Sequence, residues 1–169
     1  MCGAINQAMN KNECFNYERN CQLVMNSHYI KWGMVDRSCA CELYDLAIHM
    51  KSGKVIYIEE KFRQDDYGDF LLELIQDVES CNLGWFYKTK ASHIFYIVAL
   101  QTVYSINWDS FRKRFREIQE DKKLFAQTTL VYSLNGFGCT INMSIPWGLI
   151  DGCYNKINLP LEAGNKSDG

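Results

Sequence analysis

Apolar residues recur every three or four positions from Glu13 to His28, through Phe15, Tyr17, Cys21, Val24 and Met25, which predicts an amphipathic helix. From Tyr29 to Cys41 the pattern is ambiguous, with a turn at Trp32-Gly33 and room for a short strand. Two extended runs follow, Leu43–Met50 and Lys54–Phe62, around Lys51-Ser52-Gly53. This three-residue loop has glycine where a hairpin needs positive φ. Beyond it, Asp65, Asp66 and Asp69 precede Phe70, Leu71, Leu74, Ile75 and Val78, a helical spacing opened by acidic caps and ending at Gly84. His93–Leu100 reads as a buried strand and Thr102–Asn107 as its hairpin partner. Asp109 then caps a helix to about Phe125, whose apolar side is Phe111, Phe115 and Ile118. Thr128–Leu134 and Cys139–Ile145 form a last hairpin around Asn135-Gly136. Nothing repeats and no linker interrupts the pattern, so residues 1–161 read as one domain and 162–169 as a flexible tail.

Composition narrows the class. With 169 residues, 47% hydrophobic and 22% charged, the chain can build a core and is not a disordered polymer. A net charge of −2 excludes a globally basic nucleic-acid coat but leaves room for a local basic face. The eight cysteines (Cys2, Cys14, Cys21, Cys39, Cys41, Cys81, Cys139 and Cys153) include no CxxC pair, and no leader-like or membrane-spanning run is visible. The expectation is a cytoplasmic chain with reduced thiols, without a membrane.

The candidate chemistry lies in the first hairpin. A loop of Lys51 to Gly53 pairs Met50 with Lys54 and therefore sets Asp45 opposite Glu59. Side chains alternate, so Val55, Tyr57, Glu59 and Lys61 share one face, and Asp45 joins it across a cross-strand spacing of about 5 Å. Two adjacent carboxylates repel, and one takes up a proton unless a cation stands between them. Magnesium suits such a place, since it takes one or two protein carboxylates plus waters and phosphate oxygens. A lysine two residues on can hold the attacking water and offset developing charge. The plain reading is an exposed hairpin with surface ion pairs worth at most about 1 kcal/mol. Against it, the strand is otherwise apolar, Val55-Ile56-Tyr57-Ile58.

Asp45, thirteen intervening residues and then Glu59-Glu60-Lys61 in an apolar strand resembles the signature of the PD-(D/E)xK nuclease superfamily, the restriction-endonuclease-like fold. The resemblance spans roughly Glu13 to Leu100. The stretch Gly84-Trp85-Phe86-Tyr87-Lys88-Thr89-Lys90 is also similar to small stand-alone members from phages and mobile elements. The resemblance implies an α/β fold: an α-β-β-β-α-β core, its mixed central sheet flanked by helices, extended here by a C-terminal helix and β-hairpin. It implies a Mg²⁺-dependent deoxyribonuclease, with Mn²⁺ as substitute, in a bacterial cell or a phage-infected host. Asp45, Glu59 and Lys61 would be catalytic. Asp45, Glu59, the Glu60 carbonyl and Glu18 of the first helix would hold metal. DNA is the implied partner; a homodimer is admitted, though no interface is legible. The alternative is a nuclease-fold protein that binds nucleic acid or a protein without cutting, such as a phage-borne inhibitor or assembly subunit. Tyr44 stands where the family often has proline, the family's first strand is not obvious, and the cysteine spacing does not match its iron–sulfur branch.

Other residues carry two readings each. Lys88 and Lys90, interleaved with Trp85 and Tyr87, suit a nucleic-acid groove or a loop capping the core. Arg63 and Gln64, just past Lys61, are further nucleic-acid candidates, and Gln64 is equally a loop residue. Arg112, Lys113, Arg114 and Arg116, continued by Lys122 and Lys123, form a basic helix face that is either simply solvated or a contact for the DNA backbone.

Overall fold

The computed structural model describes residues 11–38, 43–135 and 138–159. Helix α1 (Lys11–Tyr29) leads into a meander of β1 (Gly33–Asp36), β2 (Leu46–Met50) and β3 (Val55–Arg63). Strand β4 (Asp69–Asp77), the short β5 (Asn82–Leu83) and the one-turn helix α2 (Trp85–Lys88) connect this meander to β6 (His93–Val98) and β7 (Thr102–Asn107). Helices α3 (Trp108–Glu120) and α4 (Lys122–Phe125) precede β8 (Thr129–Asn135) and β9 (Gly138–Pro146). A 3₁₀ turn, Trp147–Ile150, ends in β10 (Tyr154–Asn158).

The fold is mixed α/β with a mostly sheet core and few helices. One sheet has six strands in the order β1-β2-β3-β6-β7-β10, antiparallel throughout except for the parallel pair β3 and β6. The other has four, β5-β4-β9-β8, all antiparallel. The first hairpin has the register its loop dictates: Leu46 faces Ile58, Ile48 faces Ile56, and the Met50 N–H donates to the Lys54 carbonyl at 2.8 Å. Gly53 supplies the positive φ, +82°, that turns the chain there.

Both faces of the large sheet are covered because β6 is apolar on both sides. Phe95 and Ile97 join Leu46, Ile48, Ile58 and Val103 under Met25 and Tyr29 of α1. Ile94, Tyr96 and Val98 point the other way, against Phe70, Leu72, Met143 and Ile145 of the small sheet and Trp108, Phe111 and Phe115 of α3. The second face is therefore covered by a sheet and one helix, where flanking helices were expected.

Four expectations are corrected. Residues 70–78 are not a helix but strand β4. Leucine-rich runs fit either period, and here Phe70 and Leu72 alternate into the core while β9, some seventy residues downstream, supplies the ladder. The acidic residues before it do turn and pairing work: Asp66 accepts from the Gly68 N–H at 2.9 Å, and Asp69 accepts from Arg63. Helix α3 is capped by Asn107, whose side chain accepts from the Ser110 N–H at 3.0 Å, while Asp109 lies inside the first turn. The helix also stops before Phe125, because Asp121 breaks it and caps α4. Finally, the last hairpin is no appendage, since β9 pairs with β4 in the middle of the small sheet. The tail 162–169, Cys2, Cys39, Cys41 and Gly136 lie outside the described residues. Cys21, Cys81, Cys139 and Cys153 are free thiols. Among the described residues, no helix is long and apolar enough to cross a membrane.

Candidate active site

The pleat of β3 sends neighbouring charges to opposite faces. Glu60 points toward α1, where its carboxylate takes two donors from Arg37 (2.7 and 3.2 Å) and one from the Tyr29 hydroxyl (2.7 Å). Glu59 and Lys61 point to the other face. Glu59 is 7% exposed, and its Oε1 lies 2.7 Å from the Lys61 ammonium. Thr89 Oγ1 stands 2.9 Å from the Leu43 carbonyl and 3.3 Å from Glu59 Oε2, with one proton to share between them. Asp45, just before β2, is fixed by its backbone: its N–H donates to the Ile58 carbonyl at 2.9 Å, and its Oδ2 accepts from the Glu60 N–H at 2.7 Å.

The electrostatics follow from crowding. Burial pushes the Glu59 carboxyl above the ordinary glutamate range; the Asp45 charge pushes the same way, and Lys61 opposes both. Glu18, on α1, is raised by desolvation despite its open surface; Lys61 draws it back down, and Asp45 and Glu60 raise it further. Glu18 and Lys61 share a cleft of about 370 Å³, walled also by Arg63, Glu73, Trp85 and Lys88. The Lys61 ammonium sits 5.2 Å from the Trp85 ring centroid.

Trp85 reaches the cleft through a close approach of two backbones. A Cβ on Gly84 would lie 2.3 Å from the Glu73 carbonyl oxygen, so only glycine lets α2 seat against β4. There the Gly84 N–H donates to the Leu74 carbonyl at 2.8 Å and the Trp85 N–H to the Glu73 carboxylate at 3.2 Å.

Asp45, Glu59 and Lys61 thus lie at one end of the first hairpin, while Glu18 meets only Lys61 of these in the cleft, whose walls include Trp85, Lys88 and Arg63 but not Asp45 or Glu59. Lys88 holds Gln76 (3.1 Å) and Asn82 (2.9 Å). Arg63 is engaged by Asp69, by the Tyr96 hydroxyl at 3.0 Å and by the Tyr67 ring at 4.4 Å. Gln64 lines a neighbouring hollow with Glu18 and Arg63. Tyr87 and Lys90 are exposed and do not line the cleft.

No family model, curated protein or solved structure matches this chain. The functional argument therefore rests on the geometry. Sequence reasoning passed over Thr89, Arg37 and Glu73, none of which belongs to a local pattern: each meets the site only through tertiary pairing. Gly84 was legible as an element boundary, but not as the seat of α2.

Among the described residues, no three His, Cys, Asp or Glu side chains are grouped to hold a metal ion. The donor set nevertheless fits magnesium, which needs only one or two carboxylates beside waters and carbonyls. Asp45 and Glu59 are two such carboxylates; Glu59 is raised first by burial, and Lys61 already stands beside it as a counter-charge.

Proposed function

We propose that this chain is a Mg²⁺-dependent deoxyribonuclease of restriction-endonuclease-like architecture, hydrolysing phosphodiester bonds at the β2–β3 cluster. The observation that carries the reading is the convergence of Asp45, the buried Glu59 and Lys61 on the same end of one hairpin beside an open cleft. The order of helix, three-stranded meander, crossover and strand parallel to β3 supports the architecture. The crossover departs from the family by carrying β4 and β5 ahead of its single helical turn.

Asp45, Glu59 and the Glu60 carbonyl would hold Mg²⁺, with Glu18 across the cleft. The ion supplies a Lewis acid for the phosphoryl oxygens and a template for water. Lys61, held by Glu59 and by the face of Trp85, hydrogen-bonds the attacking water and offsets charge growing on the phosphoryl group. The water oxygen bonds to phosphorus as the bond to the 3′ oxygen breaks, leaving a 5′ phosphate and a 3′ hydroxyl. Cleavage of linear, circular and single-stranded DNA with Mg²⁺ tests this. Asp45→Asn, Glu59→Gln and Lys61→Ala should each lose about 10²-fold or more, and wild-type rates in all three would end the assignment.

One observation favours a second reading, a nuclease fold that binds without cutting: the Glu59 carboxylate is already ion-paired to Lys61. Calorimetric titration with Mn²⁺ separates the two. Binding that is lost in Glu59→Ala supports the enzyme, and no binding supports the scaffold.

A further inference from the structure

Helix α2 is a single turn with a cleft on each side. Trp85 and Lys88 line the cleft that holds Lys61. Phe86 lines a separate groove of about 650 Å³ along α3, with Arg112, Lys113 and Arg116. Between them stands Tyr87, 56% exposed. The α3 groove has an apolar floor, where Phe86 packs edge-on against Phe115 at 5.3 Å, and a rim of those three cations with the Asp109 carboxylate among them.

The four basic residues of α3 are not equivalent. Arg114 is spent inside the fold, donating to the Leu149 carbonyl at 2.8 Å and to Glu117 at 2.9 Å. Arg112 pairs only at the surface, with the exposed Asp109 at 2.5 Å. Lys113 and Arg116 are exposed and make no ion pair among the described residues. With Phe111, Phe115 and Ile118 buried, the helical period turns 112, 113 and 116 to the same open side. In a chain of net charge −2 this basic rim is local, and its apolar floor is what a sugar and base need beside a phosphate.

We propose that a nucleic-acid strand leaving the cleft passes over α2 and is held through its backbone phosphates by Arg112, Lys113 and Arg116. The proposal rests on the nuclease reading above, and its test is a binding measurement made without Mg²⁺, so the two can fail separately. The probe is a labelled DNA oligonucleotide, single-stranded in one arm and duplex in the other, titrated by fluorescence anisotropy over a range of salt. The variant is Arg112→Ala/Lys113→Ala/Arg116→Ala. The control is Lys31→Ala/Lys51→Ala/Lys156→Ala, which removes the same charge from exposed positions on other elements. Three lost phosphate contacts should lower the slope of log K against log salt by about 2.7 for duplex or about 2 for single-stranded DNA, while the control leaves it near wild type. Equal small changes in both triple variants would make the α3 face merely solvated and overturn the proposal. Oligonucleotide binding with the expected slope change, but no cleavage by the wild type with Mg²⁺, would uphold it and overturn the catalytic reading.

Discussion

The Glu60 clamp gives the sharpest energetic test, because it sits between Glu59 and Lys61, two of the three candidate catalytic residues, yet faces away from them. The Glu60 side chain is 1% exposed, and its ion-pair partner Arg37 is 25% exposed. Arg37 holds it with two hydrogen bonds and Tyr29 with a third. Arg37→Met removes the counter-charge and leaves a carboxylate in the α1–β3 interface with the tyrosine hydroxyl alone. Breaking a buried pair from one side costs about 3–5 kcal/mol. Since Arg37 keeps a quarter of its exposure, the lower end applies, about 3 kcal/mol. For a chain of this size that corresponds to a fall in Tm of about 6–12 °C. Glu60→Gln, which removes the charge and keeps an acceptor, should cost about 1.5 kcal/mol. In the double variant no charge is stranded, so its loss should fall short of the sum by about 2 kcal/mol. Urea unfolding followed by tryptophan fluorescence measures all four corners of the cycle. A loss below about 1 kcal/mol in Arg37→Met with additive variants would refute the argument, because it would mean that Glu60 is hydrated when Arg37 leaves.

Three further outcomes follow from the same geometry. Because the folded pKa of Glu59 is raised, its contribution is fully present below the unfolded value of about 4.3 and is lost as pH rises through the folded pKa. Glu59→Gln should therefore gain stability relative to wild type from pH 4 to 7, and parallel stability curves would sink the idea. The Thr89 hydroxyl lowers the Glu59 pKa, so Thr89→Val should move the acidic limb of the cleavage profile to higher pH, where an unmoved limb counts against the contact. Gly84→Ala drives a Cβ into the Glu73 carbonyl and should cost about 2 kcal/mol as β4 and α2 separate. It should also lower cleavage by displacing Trp85; a variant with unchanged urea midpoint and activity would show that the approach relaxes freely.

Local chemistry explains which parts were legible in sequence. The β2–β3 register up to Leu46 against Ile58 followed from one glycine loop, with Asp45 just outside the paired residues and bonded to the Ile58 carbonyl and the Glu60 N–H instead. Strand β6 was readable because Ile94 to Val98 is apolar on both faces. Strand β4 was misread because its period could not be decided without its partner, and that partner, β9, lies seventy residues away. Strand β1 was only half legible, four residues with Met34 exposed and no alternation to mark them. The Arg37–Glu60 clamp left no local signature at all, since an arginine just past β1 and a glutamate inside β3 meet only when the chain after β1 comes to β3.

The misread strand also changes what surrounds the candidate chemistry. As β4 paired to β9, residues 69–77 build a second wall that brings Glu73 and Asn142 to the same cleft as Lys61. That wall is tied to the candidate catalytic strand at its end. Arg63 continues the Glu59–Lys61 row and bonds both Asp69, the first residue of β4, and the Tyr96 hydroxyl, which in turn accepts from the Leu71 N–H at 3.3 Å. An arginine with these partners gains little by turning to a phosphate, because a part-buried Asp69 would lose its counter-charge. Arg63 therefore acts as a strut between the two sheets. Of the cations along the proposed path, Lys61 is paired with Glu59 and Arg112 with the exposed Asp109, which leaves Lys113 and Arg116 beyond α2 without an ion pair among the described residues in a molecule that is acidic as a whole.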